Sequence, residues 1–199
     1  MPLPLVLASA SPTRKALLEN AAVSVDTAPA RVDEESLRAA MSAEAITPRD
    51  MADQLAEAKA RKVSGRLPGR LVLGCDQVLD HRGDALGKAR NAAELREQLL
   101  QLRGDTHILW SAAVLYRDGR PLWRPIGEAR MTMADFSDDY LDGYLARNGA
   151  QLETTVGGYM LENEGVRLFS RIDGDYFTVL GLPLLAVLRQ LARIGELDT

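Results

Sequence analysis

The chain has 199 residues, 46% apolar and 26% charged, which suits one α/β domain with a real core. Its formal net charge of −4 argues against long nucleic acid as a partner, because that needs a broad cationic surface; a small phosphorylated ligand needs only a few basic residues in one cleft. A single cysteine, Cys75, excludes an intramolecular disulfide and a cysteine zinc site, and the two histidines, His81 and His107, add little to any metal set.

The first residues, Met1 to Leu5, carry no basic run before their apolar stretch and read as an incoming strand. No apolar stretch approaches the ~20 residues that span a bilayer. A cytoplasmic protein with no membrane partner is the expectation.

Leu3 to Ala8 predicts a short buried strand. Ser11 and Pro12 predict a helix start, with serine at the N-cap and proline at the first helical position. Leu17 and Leu18 give that helix its apolar side. Val23 to Ala28 alternates like a second strand, and a short helix is expected around Ser36 to Ser42. Thr47-Pro48 opens a longer helix, with Met51, Leu55 and Ala58 at helical spacing. Leu71 to Cys75 reads as a buried strand that ends at Asp76. Asp80 to Asp84 looks like a hairpin, and Asn91 to Glu94 is a capping-box pattern before Leu95, Leu99 and Leu102. His107 to Tyr116 and Glu128 to Phe136 are strand-like and flank Asp118-Gly119, a hairpin signal. Ser137 starts a helix, Arg167 to Ile172 is strand-like, and Pro183 to Ile194 closes the chain as an amphipathic helix. Alternating strands and helices give an α/β class with a mixed sheet flanked by helices.

Four groups of residues carry candidate chemistry. Ser9, Ser11 and Arg14 surround a strand–turn–helix junction whose N–H groups and hydroxyls suit an anion; alone, the segment reads more simply as a capped helix with a solvated arginine. Asp76 stands where a strand delivers it to the ligand-binding end of an open sheet; there it suits Mg²⁺ or Mn²⁺, or a proton from water, or merely opens a turn. Asp33-Glu34, Lys59 and Lys88 are separated charges, each ordinary alone, that together offer acids for a metal and bases for a polyphosphate. The segment from Arg171 to Pro183, with Gly174 and Gly181, reads mainly as architecture.

In this order the segments Leu7-Ala8-Ser9-Ala10-Ser11-Pro12-Thr13-Arg14, Asp33-Glu34, Leu55 to Ala60, Gly74-Cys75-Asp76-Gln77-Val78, Gly87-Lys88 and Gly174 to Pro183 resemble the Maf family of nucleotide pyrophosphatases, over nearly the whole chain. The resemblance implies a single elongated, two-lobed domain with a central cleft, similar to inosine triphosphatase-like folds. It implies cleavage of a nucleoside triphosphate between the α and β phosphates, a divalent cation (Mg or Mn) and a homodimer. Carried onto matching positions, it makes Asp76 the catalytic carboxylate, Glu34 and Asp76 the metal-associated acids, and Ser9, Arg14, Lys59 and Lys88 the phosphate-binding residues. It also implies an alternative, a nucleotide-binding regulator of septum formation with little turnover.

Three positions bear on the base. Many members have a second arginine at Thr13, threonine at Gln77 and glutamine at Glu162, a set linked to thymine and uracil triphosphates. Gln77 and Glu162 instead resemble the subgroup acting on 7-methylguanosine triphosphate, which has tryptophan at Thr13. Glu162 would accept from guanine N–H donors, so a guanine-type base is expected over dTTP or UTP.

Overall fold

The computed structural model describes residues 3–152 and 155–198. The first apolar run becomes β1 (Leu5–Leu7), buried throughout, and the chain then turns into α1 (Pro12–Asn20), capped by the Ser11 side chain as its sequence dictates. β2 (Val25–Thr27) returns parallel to β1. Two helices follow with opposite character. α2 (Glu34–Ala43) is capped by Asp33 and buries only Met41. α3 (Pro48–Ser64), capped by Thr47, buries a full face that includes Met51, Leu55, Ala56, Lys59 and Ala60.

β3 (Val72–His81) then runs through the middle of the molecule, turning at Arg82-Gly83 into the short β4 (Asp84–Leu86). α4 (Ala92–Leu102) leads to the longest strand, β5 (Thr106–Arg117). Asp118-Gly119, both at positive φ, makes the two-residue turn that its sequence signals. It opens onto an additional strand, β6 (Arg120–Trp123), before β7 (Ile126–Met133). α5 (Asp138–Leu152), a 3₁₀ turn at Glu164–Leu168, β8 (Phe169–Asp173), the one-turn α6 (Tyr176–Val179) and α7 (Leu184–Arg193) complete the chain.

The strands form one mixed sheet in the order β2-β1-β3-β5-β7-β8, with β4 beside β3 and β6 beside β5. β2, β1 and β3 are parallel and the rest antiparallel. Three apolar clusters cover it. One joins α3 to Val6, Val72, Val78 and Val114. A second packs Leu17 and Leu18 of α1 with Val187 and Leu191 of α7 across Leu73 and Leu115. The third, built on Leu95 and Leu99 of α4 with Leu141 and Tyr144 of α5, covers Leu109, Ala129 and Met131. The first two make one lobe and the third makes the other; β3 and β5 thread both, and a cleft lies between. No helix among the described residues is long and apolar enough to cross a membrane.

One expectation is corrected. Asp76 does not follow a strand end: it lies in the middle of β3, paired with Ala112 of β5. The strand continues because Val78 and Leu79 are fully buried and β5 supplies nine successive partners from Tyr116 to Ile108. A short apolar run followed by a charge mimics a strand terminus, yet mid-strand burial of a carboxylate is tolerated where its charge is met.

Candidate active site

The first wall of the cleft is the turn from β1 into α1. Ser9, 8% exposed, accepts hydrogen bonds from the Ser11 backbone N–H at 3.1 Å and from Nη1 of Arg14 at 3.4 Å. Arg14 is held from further away. Its Nε donates to the Gly181 carbonyl at 2.8 Å and its Nη1 to the Cys75 carbonyl at 3.2 Å. Gly181 has φ +92, and a β-carbon there would stand 3.2 Å from the guanidinium, so both its conformation and the approach of Arg14 call for glycine. Three fixed acceptors thus orient the fork before any anion arrives.

The second wall is electrostatic. Lys59, on α3, has a side chain only 8% exposed, and its ammonium lies 2.6 Å from Asp76 Oδ1 and 2.9 Å from Glu34 Oε1. Arg38 reaches the other Asp76 oxygen, with Nη2 2.8 Å from Oδ2, and donates to the Gln77 carbonyl at 3.3 Å. A buried ammonium is tolerated because two carboxylates meet it; removing either partner would leave an expensive uncompensated charge. Burial pushes Glu34 up, but Lys59, with Arg38 and Lys88 behind it, outweighs that and holds its carboxyl below the usual range.

Gly74, two residues before Asp76, makes this geometry possible. A β-carbon there would fall 2.2 Å from the Ala56 carbonyl and 2.7 Å from Ala60. Without a side chain, β3 and α3 approach closely enough for Lys59, between those two alanines, to span the gap to Asp76.

Ser9, Thr13, Arg14, Glu34, Lys59, Asp76, Gln77, Lys88 and Glu162, far apart in the sequence, all line one cleft of about 640 Å³, a size typical of small-molecule sites. Five cations and three carboxylates face it among the described residues, so an acidic protein presents a net positive cleft.

The Maf-like protein family model matches residues 4–194. The chain belongs to the Maf family. A nucleoside triphosphate pyrophosphatase of Roseobacter denitrificans is 56% identical to it, with 99% of each chain covered. A 7-methyl-GTP pyrophosphatase of Mesorhizobium japonicum is 48% identical, with 98% of each covered. Among solved structures, a nucleoside-triphosphatase/dITP/XTP pyrophosphatase of Mycobacterium abscessus shares 15% identity at a TM-score of 0.40, over 98% of each chain.

In this Maf protein the positions expected to bear on the base differ in freedom. The Gln77 amide nitrogen donates to Ser111 Oγ and to the Thr178 and Val179 carbonyls, all at 3.0–3.1 Å, so its donor end is committed to the protein. Glu162 is exposed at the cleft rim and shares with Thr13 a second, apolar groove walled by Tyr176, Phe177 and Leu180.

Arg31 and Arg38 also line the cleft and were not legible as site residues. Arg38 had a usable signal, standing one helical turn after Glu34 on the same face. Arg31 had none; its φ of +51 appears only in the fold. Gly181, read as architecture, is the residue that aims Arg14. Cys75 lends the site its carbonyl, while its thiol is fully buried and pushed up to about 11 by that burial, which makes it a poor nucleophile.

The residues also suit a hard divalent cation. Glu34 and Asp76 contact the same ammonium, so the two carboxylates lie within reach of one small ion. Among the described residues no three His, Cys, Asp or Glu side chains converge; Mg²⁺ needs only one or two protein carboxylates and completes its shell with water and substrate phosphates.

Proposed function

We propose that this chain is a nucleoside triphosphate pyrophosphatase, hydrolysing the α–β phosphoanhydride to release a nucleoside monophosphate and pyrophosphate. The observation that carries this reading is the meeting of Asp76 with Glu34, Arg14, Lys59 and Lys88 in one cleft. The names of the close relatives support it.

The chemistry follows from charge. A triphosphate repels an incoming nucleophile, and cations around it offset that charge in the ground state and as it develops on the leaving group. Arg14, oriented by two carbonyls, forks onto phosphate oxygens; Lys59 and Lys88 add point charges. Asp76 orients a water molecule toward the α-phosphorus and takes its proton as the new P–O bond forms and the bond to the bridging oxygen breaks. Glu34 and Asp76 would hold the divalent ion, Mg²⁺ or Mn²⁺, which supplies further neutralisation of the phosphate oxygens. For the base we infer a guanine type, 7-methyl-GTP among the candidates, because the Glu162 carboxylate at the rim accepts from N–H donors and would repel pyrimidine carbonyls. The same reading takes the protein as a cytoplasmic homodimer, whose assembly light scattering would check.

The test is a nucleotide panel, including 7-methyl-GTP, dTTP and UTP, incubated with Mg²⁺ or Mn²⁺ and scored for pyrophosphate. We expect release from a guanine nucleotide, and at most about a hundredth of that rate from Asp76→Asn. Orthophosphate as the product would move the scissile bond, and no pyrophosphate above the Asp76→Asn background would overturn the reading in favour of a binding-only regulator of division.

A further inference from the structure

We propose that Arg38 is a further polyphosphate ligand of this cleft, which exchanges its hold on Asp76 for the phosphates of the substrate. The inference rests on the pyrophosphatase reading for its substrate, but its geometry stands by itself.

Three observations carry it. Arg38 lines the same cleft as Arg14, Lys59 and Lys88. Its side chain is 24% exposed, so the guanidinium is part-desolvated yet open to the cleft, where a charge pair is stronger than in bulk water. Among the described residues it donates to a single carboxylate oxygen, one backbone carbonyl and, at 3.9 Å, the Met51 sulfur. A guanidinium carries five donors in a planar fork that matches phosphate better than it matches one oxygen of one carboxylate. A polyphosphate entering between Arg14 and Lys59 brings several negative charges to compete with the one on Asp76.

The mounting of Arg38 also suits an exchange. Arg14 is fixed by backbone carbonyls of β3 and of the loop before α7. Arg38 sits on α2, most of which is exposed and whose only buried residue is Met41. The apolar anchorage of α2 is Met41 with the half-buried Leu37, so it shifts at less cost than the fully packed α3. Exchange would also uncover Oδ2 of Asp76, so that substrate arrival and presentation of the carboxylate to water become one event. Arg38 therefore acts twice, as a phosphate ligand and as a positioning residue for Asp76.

The experiment measures binding of inorganic pyrophosphate by calorimetry, with Mg²⁺ present, alongside steady-state kinetics. The proteins are wild type, Arg38→Gln, Arg38→Lys and a control, Arg49→Gln, whose arginine is exposed and pairs with Asp50 outside the cleft. Thermal melts confirm that each variant is folded. We expect Arg38→Gln to bind pyrophosphate at least about tenfold more weakly and to raise KM by a similar factor. Arg38→Lys should fall between, because it keeps the charge and loses the fork, and Arg49→Gln should match wild type. A purely structural clasp on Asp76 would instead lower kcat while leaving KM and pyrophosphate affinity at wild-type values, and that pattern overturns the proposal, as does failure of the wild type to bind pyrophosphate. If wild type binds pyrophosphate but turns over no triphosphate, the pyrophosphatase reading fails while the Arg38 comparison still decides this one.

Discussion

The two walls of the cleft hold their cations by different means. On the β1–α1 wall, Arg14 is gripped by the carbonyls of Cys75 and Gly181, neutral acceptors that belong to the backbone and do not leave. On the α2–α3 wall, Lys59 and Arg38 are held by carboxylates, which salt, protons and phosphate all compete with. A site that must bind a highly charged substrate and then release two charged products gains from both. One wall is preorganised and gives orientation; the other rearranges its charges when substrate arrives.

The largest expected effect breaks the second wall outright. Asp76→Asn removes the group that meets both Lys59 and Arg38, and the rate of pyrophosphate release should fall by about a hundredfold to ten-thousandfold, with the loss in kcat. Next comes Gly74→Ala. The added β-carbon collides with α3 backbone, so α3 must shift, the melting temperature should drop by an amount equivalent to about 1–3 kcal/mol, and activity should fall with it as Lys59 loses its register on Asp76.

Gly181→Ala probes the rigid wall in the same way. Alanine at φ +92 is strained and presses on Arg14, so a rise in KM is expected, with about 1 kcal/mol of lost stability. Salt sharpens the contrast between the walls. Between 50 and 500 mM KCl, the affinity of Arg38→Gln for pyrophosphate should fall less steeply than that of wild type, because one screened pair has already gone; equal slopes would mean that Arg38 contributes no charge to binding.

The smallest effect on activity is expected in the other lobe, outside the ion pairs of the cleft. His107 is almost fully buried and its ring shares a 2.6 Å hydrogen bond with Tyr159. Burial, helped by His81, pushes it down to about 4. Its folded-state value lies below the ordinary 6.5, so the unfolded chain binds the extra proton first, and the stability this contributes is present above pH 6.5 and lost as pH falls toward 4. Melting between pH 6.5 and 4.5 should show a loss on the order of 2 kcal/mol, flattened in His107→Gln. An unchanged slope in that variant would assign the loss elsewhere.

Much of the frame was legible without coordinates, and for a local reason. Ser11-Pro12, Thr47-Pro48, Asn91 and Ser137 all start helices where expected, because a cap and its first turn involve residues three apart. Asp118-Gly119 makes its tight turn for the same reason. The ordered motifs also pointed to the residues that share the cleft. What was misread lay between segments: Asp76 reads locally as a strand end, and Gly181, which reads mainly as architecture, is the residue that aims Arg14.

The amino-acid order by itself determined the helix starts, the tight turns, the alternation of strand and helix and the set of acids and cations available for phosphate chemistry. Only the tertiary structure decided which charges meet. Lys59 finds Asp76 from 17 residues away, Arg38 from 38 and Gly181 finds Arg14 from 167. Such pairings depend on how closely β3 and α3 pack at Gly74 and on where the sheet carries the last loop, and no local pattern of residues encodes a distance across a fold.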